Sequence, residues 1–365
     1  MREQDLQKYL RRNPGSTVTG LEKYPCAVVI PSYDEVDEIR DVLDSLALAA
    51  KPLPAAVIVV ANHPAGCSGS STAKLLELLK QRNDPDLFPI FAPDLTGGVG
   101  EARKIGMDCF IRSKTIQTLE QSMIYSLDSD SPVAPDYFSA TQTALAQHPA
   151  APGILIDVRH RKSGDKEQDQ AIRQYENYLF RYAEKLARAG SPYGFVSIGS
   201  GFAVRGASYV KAGGMRIRKA GEDFYFLQEL AKQGTLCKTG KPLVFPSPRI
   251  SERVPFGTGQ AVKGLLRGTP LNEIPDSAFE HLAMLLAAAQ APDGFLSDPD
   301  QKVPGDCCNF FAAEKFPQVW RSIIRNTPPD HKARLQAFHR WFDGLKTLRF
   351  LHALQRRAQE NTSGQ

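Results

Sequence analysis

A chain of 365 residues that is 42% hydrophobic and 23% charged has the make-up of an ordinary globular protein, with room for one large domain plus additions or for two domains. A formal net charge of only +5, with basic residues dispersed apart from short clusters such as Arg216-Ile217-Arg218-Lys219, argues against nucleic acid and is compatible with anionic substrates or a membrane surface. The charged start MREQDLQKYLRRNPGS lacks a secretory h-region, no apolar run is long enough to span a bilayer, and the six cysteines show no metal-ligand spacing, so a soluble protein with reduced thiols is expected.

In chain order, Ala27-Val28-Val29-Ile30 is a β-branched run ending at Pro31, the pattern of a buried parallel strand. Behind the acidic start Asp34-Glu35-Val36-Asp37-Glu38, the residues Ile39, Val42, Leu43 and Leu46 mark one helical face. A second strand over Ala56 to Val60 ends at Ala61-Asn62-His63-Pro64, and a helix over Ser71 to Gln81 follows. A short apolar piece at Phe88 to Phe91 and a glycine turn at Gly97 to Gly100 lead into a helix from Glu101. Met123-Ile124-Tyr125 and Leu127 form the next buried strand, which stops at Asp128-Ser129-Asp130 before a helix beginning at Tyr137. This alternation predicts an α/β fold with a doubly wound, mostly parallel sheet flanked by helices.

Further on, Gly153 to Val158 is another strand, Arg159 to Asp169 a charged loop, and Gln170 to Ala189 a helix. The run Phe195 to Arg205 is strand-like but glycine-rich, which points to a bulge or to another group approaching the backbone closely. Gly221-Glu222-Asp223 opens a helix over Phe224 to Gln233. From about Leu271 the pattern becomes mainly helical, clearest over Ala278 to Gln290 and His331 to Leu354.

The chemistry concentrates where the strands end, which is where ligands bind in open α/β sheets. Asp128 and Asp130, two residues apart, are either a solvated turn or a pair of carboxylates for Mg²⁺ or Mn²⁺, whose remaining ligands would be phosphate oxygens and water. Glu222 and Asp223 either favour the start of their helix or supply a general base. Gly98 and Gly100 begin a G-x-G-x-x-G fingerprint, but Arg103 stands in the third place and the dinucleotide reading fails.

Taken together, these segments resemble a family-2 glycosyltransferase of the GT-A fold over residues 25–260. Val28 to Glu35 is similar to that family's first strand and P-x-Y-N-E turn, with Asp34 in the Asn place. Gly98 to Gly106 resembles its G-x-x-x-A-R-N-x-G helix start, with Lys104 replacing Asn. Asp128-Ser129-Asp130 resembles the D-x-D metal motif and Gly221-Glu222-Asp223 the later x-E-D motif. The resemblance implies a nucleotide-diphospho-sugar donor, a hydroxyl acceptor (a saccharide or a lipid-linked one), a divalent metal and an inverting displacement. It implies nucleotide-sugar contacts from Pro31, Tyr33, Glu35, Asn62, Arg103, Asp128 and Arg253, metal ligation by Asp130 and Asp128, and Asp223 as base beside Glu222. Asn62 departs from the Asp that the family usually carries there.

The expected organisation is an N-terminal extension over residues 1–22, a catalytic domain over 23–262 (nucleotide-sugar half 23–135, acceptor half 136–262) and a mainly helical region over 263–365. A cytoplasmic location is expected, with contact to the inner face of a membrane if the acceptor is lipid-linked. Residues 336–341 resemble the Q-x-x-R-W motif of processive synthases but hold one residue too many and lie far beyond Asp223. Two other readings stay open: a catalytically silent sugar-nucleotide-binding or scaffold protein, and a sugar-nucleotide pyrophosphorylase.

Overall fold

The β-branched runs become the middle of a seven-stranded sheet in a computed structural model that describes residues 1–250, 257–292, 294–296 and 307–363. Strands β1 (Cys26–Ser32), β2 (Ala55–Pro64), β3 (Leu87–Leu95), β4 (Met123–Ser126), β5 (Gly153–Val158), β6 (Phe202–Arg205) and β7 (Cys237–Val244) lie in the order β3-β2-β1-β4-β6-β5-β7. All pairings are parallel except those of β6, which runs antiparallel to both β4 and β5. The predicted α/β class and mostly parallel sheet are therefore the ones found. Every residue of β1 and of β4 is buried, as expected of central strands covered on both faces.

The chain divides into two compact units, Met1–Arg173 with Ser197–Gly268, and Gln174–Val196 with Thr269–Gln365. The sheet belongs to the first. Its helices are α1 (Glu3–Arg12), α2 (Glu38–Leu48), α3 (Ser70–Gln81), α4 (Gly98–Arg112), α5 (Ile116–Gln121), α6 (Tyr137–Gln147), the start of α7 (Lys166–Arg188), α8 (Gly206–Lys211), α9 (Glu222–Ala231) and α10 (Thr258–Leu266). The second unit holds the rest of α7 with α11 (Asp276–Gln290), α12 (Cys308–Ala313), α13 (Phe316–Arg325), α14 (His331–Trp341) and α15 (Gly344–Ser363). Its core joins leucines and alanines of α11 to an aromatic cluster of Phe311, Phe316, Trp320, Phe338, Phe342 and Phe350. Among the described residues no helix is long and apolar enough to cross a membrane.

Several elements differ from the sequence reading for identifiable reasons. Helix α1, expected only as part of an N-terminal extension, buries Leu6 and Tyr9 and is docked through a polar knot. The hydroxyls of Tyr9 and Tyr209 both donate to Asp108 Oδ1, at 2.6 and 2.7 Å, and Lys104 Nζ reaches Asp108 Oδ2 at 2.8 Å. Lys104, the departure from the family pattern, is thus spent on holding α1 to α4. Strand β7 escaped notice because its middle, Lys238 to Pro242, is largely exposed and polar. The stretch His331 to Leu354 is two helices, not one, because Asp343 starts α15 afresh, its carboxylate accepting from Lys346 N at 2.9 Å.

Candidate functional site

In the first unit the C-terminal ends of β1, β2 and β4 open onto a cleft of about 660 Å³. Pro31, Tyr33 and Glu35 line it after β1, Asn62 from β2, and Asp128, Ser129 and Asp130 after β4. Arg103, projecting from α4, reaches the same space. Six of the seven proposed nucleotide-sugar residues thus meet in one place, together with Asp130. The seventh, Arg253, lies outside the described residues.

Asp128 and Asp130 are each paired with a different arginine. Arg103 is 3% exposed, and its guanidinium donates to Asp128 Oδ1 at 2.5 Å, to Glu222 Oε1 at 3.2 Å and to Ser126 Oγ at 3.4 Å. Burial works to lower the pKa of that guanidinium, but Asp128, Glu222 and Asp223 hold it above its usual value. The glycine-rich run before β6 makes room for it, since a Cβ on Gly199 would lie 2.3 Å from Arg103 Nη2. The close-approaching group anticipated from the glycines is therefore Arg103.

Arg249, five residues beyond β7, serves the second carboxylate. Its Nε donates to Asp130 Oδ2 at 3.0 Å, Nη1 lies 3.5 Å from Glu38, and Nη2 pairs with Glu35, which also accepts from Ser129. Burial, and next the negative charge of Asp128, push the Asp130 carboxyl up to about 6, against the hydrogen bond it accepts from Ser131. Asn62 explains its own departure from Asp. Its Nδ2 donates to the carbonyls of Ser32 and Val60, both at 3.0 Å, pinning the ends of β1 and β2 with hydrogen bonds that a carboxylate could not donate.

Glu222 and Asp223 stand at the start of α9 and do not line the cleft. Glu222 is buried behind Arg103, and burial raises its carboxyl to about 7 against the lowering pull of that arginine. Asp223 is half-buried, accepts from Phe224 N at 2.7 Å, and is also raised by burial. Sequence reasoning passed over Arg249, Lys219 and Ser129, all of which line the cleft. Lys219 had been noticed only as part of a basic cluster, and Arg249 sits four residues before the arginine that had been chosen.

Among the described residues no group of three or more His, Cys, Asp or Glu side chains is disposed to hold a metal ion. Two carboxylates suffice for Mg²⁺ or Mn²⁺ when phosphate and water complete the shell. Asp128 and Asp130 fit that role, since both face the cleft and the charge of one raises the pKa of the other.

No family model and no curated protein matches the sequence. Among solved structures, the chain is similar to residues 1–349 of S. aureus TarS in complex with UDP-GlcNAc, with 16% identity, coverage of 80% of each chain and a TM-score of 0.44. It is also similar to the mannosyltransferase PcManGT of Pyrobaculum calidifontis in complex with GDP-Man and Mn²⁺, with 16% identity, coverage of 92% of each chain and a TM-score of 0.44. A mycobacterial protein matches at 16% identity over 72% of this chain and 82% of that one, with a TM-score of 0.36.

Proposed function

We propose that this protein is a family-2, GT-A-type glycosyltransferase that moves a sugar from a nucleotide-diphospho-sugar to a hydroxyl acceptor with inversion. The observation that carries this reading is the Asp128-Ser129-Asp130 turn, set at the C-terminal end of β4 in the same cleft as Tyr33, Glu35 and Asn62. Pro31, Tyr33, Glu35 and Asn62 would seat the nucleoside at the ends of β1 and β2. Asp130 and Asp128 would hold Mn²⁺ or Mg²⁺, which when bound supplies Lewis-acid stabilisation of the leaving diphosphate. Arg103 fixes the direction of Asp128 and ties it to Glu222. Asp223 would take the proton of the acceptor hydroxyl, whose oxygen bonds to the anomeric carbon while the bond to the diphosphate oxygen breaks. A carboxyl whose pKa is raised by burial is a stronger base than an exposed one, which suits Asp223.

A second reading, a nucleotide-binding protein without turnover, is favoured by one observation: both carboxylates of the turn are already paired with arginines. Calorimetric and thermal-shift titrations with the diphosphates of uridine, guanosine, adenosine and cytidine, with and without Mn²⁺, address the site itself. At about a hundred times its Kd, a ligand of the folded state alone stabilises it by about 2.7 kcal/mol. One nucleotide should do so with Mn²⁺ and lose its effect in Asp130→Asn; no response to any of them would sink the donor-site reading. Mn²⁺-dependent hydrolysis of the matching nucleotide sugar, abolished in Asp223→Asn, then separates the enzyme from the silent binder.

A further inference from the structure

We propose that Lys219 is the residue that receives the anionic diphosphate in this cleft. The inference rests on the reading of the cleft as a nucleotide-sugar site and adds to it a residue that no motif points to. Among the described residues three cationic side chains line the cleft: Arg103, Lys219 and Arg249. Two are already neutralised, Arg103 by Asp128 and Glu222, and Arg249 by Asp130, Glu35 and Glu38. Lys219 has no ion pair, hydrogen bond or ring contact with any described residue. A cleft-lining lysine with no counter-charge among the described residues is the group left to meet an incoming anion.

Its position is built, not incidental. Residues 216–219 run against the glycine turn at the start of α4. A Cβ on Gly100 would lie 2.7 Å from the carbonyl oxygens of both Arg216 and Arg218, and one on Gly98, whose φ is +67°, would lie 3.0 Å from the Lys219 Cα. These glycines allow the basic loop to lie on the helix start and bring Lys219 to the cleft. The other cations of the loop are used differently: the Arg218 guanidinium stacks 3.7 Å over the Tyr225 ring, and Arg216 does not line the cleft. Just ahead of α4, Glu101 Oε2 accepts from Thr96 N at 3.1 Å and Gly97 N at 2.7 Å, so those two amides are not free to hold the anion. A lysine suits the task as a compact charge on a flexible stem, able to follow phosphate oxygens. When the anomeric bond breaks, the electron pair stays on the diphosphate oxygen, and the ammonium stabilises that charge without giving up its proton.

The test compares wild type, Lys219→Met and Lys219→Arg, using the nucleoside diphosphate that the wild type prefers and its parent nucleoside followed by ligand-detected NMR. Lys219 is exposed, so the variants should unfold at the wild-type temperature. Lys219→Met should bind the diphosphate about ten- to a hundredfold more weakly, as for loss of a charge-assisted hydrogen bond. Nucleoside binding should not change, and Lys219→Arg should recover most of the loss. Equal affinity of Lys219→Met and wild type for the diphosphate would overturn the role of Lys219 while leaving the nucleotide site intact. A wild type that binds none of the nucleoside diphosphates would remove the underlying reading, and this inference with it.

Discussion

In the sheet unit Arg103 sits 3% exposed between Asp128 and Glu222, whereas in the helical unit the rings of Phe311, Phe316, Phe338 and Phe342 pack edge-to-face or stacked with hardly a polar atom among them. Next to those rings, His339 keeps its Nδ1 buried without a hydrogen-bond partner. The sheet unit thus buries ions and holds them by opposite charge; the helical unit buries an imidazole and keeps it neutral. The first arrangement preserves charge near a ligand cleft, at the cost of desolvation. The second builds its ring cluster from contact area. The cleft lies in the unit where Arg103 is buried between its two carboxylates.

The strongest way to break that contrast is to remove one central side chain from each unit. Arg103→Met leaves Glu222 and Asp128 without their counter-ion and should cost about 3–5 kcal/mol at pH 8. Phe338→Ala empties the ring cluster and should cost about 3–5 kcal/mol as well. The two losses differ in kind. The Arg103→Met defect should shrink as the pH is lowered and Glu222 takes up a proton, while the Phe338→Ala defect should stay level from pH 8 to 7. Urea unfolding at several pH values distinguishes them; a pH-independent Arg103→Met defect would mean that the arginine matters for packing only.

A pH series on the wild type sharpens the same comparison, because the two units should respond in opposite directions. Glu222, raised by burial to about 7, binds a proton more tightly in the folded than in the unfolded chain, so its contribution favours folding at low pH. That contribution is complete below about 4.5 and is lost as the pH rises through 7. His339, lowered by burial to about 4, stays neutral when folded while the unfolded chain begins to protonate near 6.5. Its unit therefore loses stability as the pH falls from 6.5 towards 4. Each effect is roughly 3–4 kcal/mol at most. Both tryptophans, Trp320 and Trp341, lie in the helical unit, so their fluorescence reports on it alone, while amide exchange in β1 and β2 reports on the sheet. Parallel slopes from the two probes would contradict the assignment, and Glu222→Gln and His339→Leu should each flatten one slope.

Gly199→Ala tests the seat of Arg103 more gently. The added methyl would meet the guanidinium at 2.3 Å, so the arginine must shift, at about 1–3 kcal/mol and with weaker nucleotide binding. Stability and binding unchanged from wild type would show that the glycine is not needed there. This position also shows how far the sequence could be read. A glycine inside a strand-like run announces that something comes close, and β1, β2 and β4 are plain from their unbroken apolar residues. The turn at Asp128 to Asp130 is visible as well, although two acids at a strand end read equally as a solvated turn until the neighbouring segments are added. What was not legible is pairing across distance: that Asp128 and Asp130 would face different arginines, or that Lys104 would be drawn towards α1. Lys219 showed only as one charge of a basic cluster and Arg249 carries no local pattern; both lie on irregular segments that the fold brings to the cleft.

The smallest effect completes the comparison, because it concerns the same chemistry without burial. In the helical unit Arg181 pairs with Glu273 at 2.6 Å, a distance like that of Arg103 and Asp128, but with side chains 53% and 56% exposed. Water already solvates both ions, the gain is screened by salt, and two long side chains must be held still. Arg181→Ala should therefore change the unfolding free energy, read from urea titration by tryptophan fluorescence, by no more than about 0.5 kcal/mol, and less in about 0.5 M salt. If it instead cost as much as Arg103→Met, distance would outweigh burial in setting the strength of these pairs, and the division between a charge-holding unit and a contact-built one would lose its physical basis.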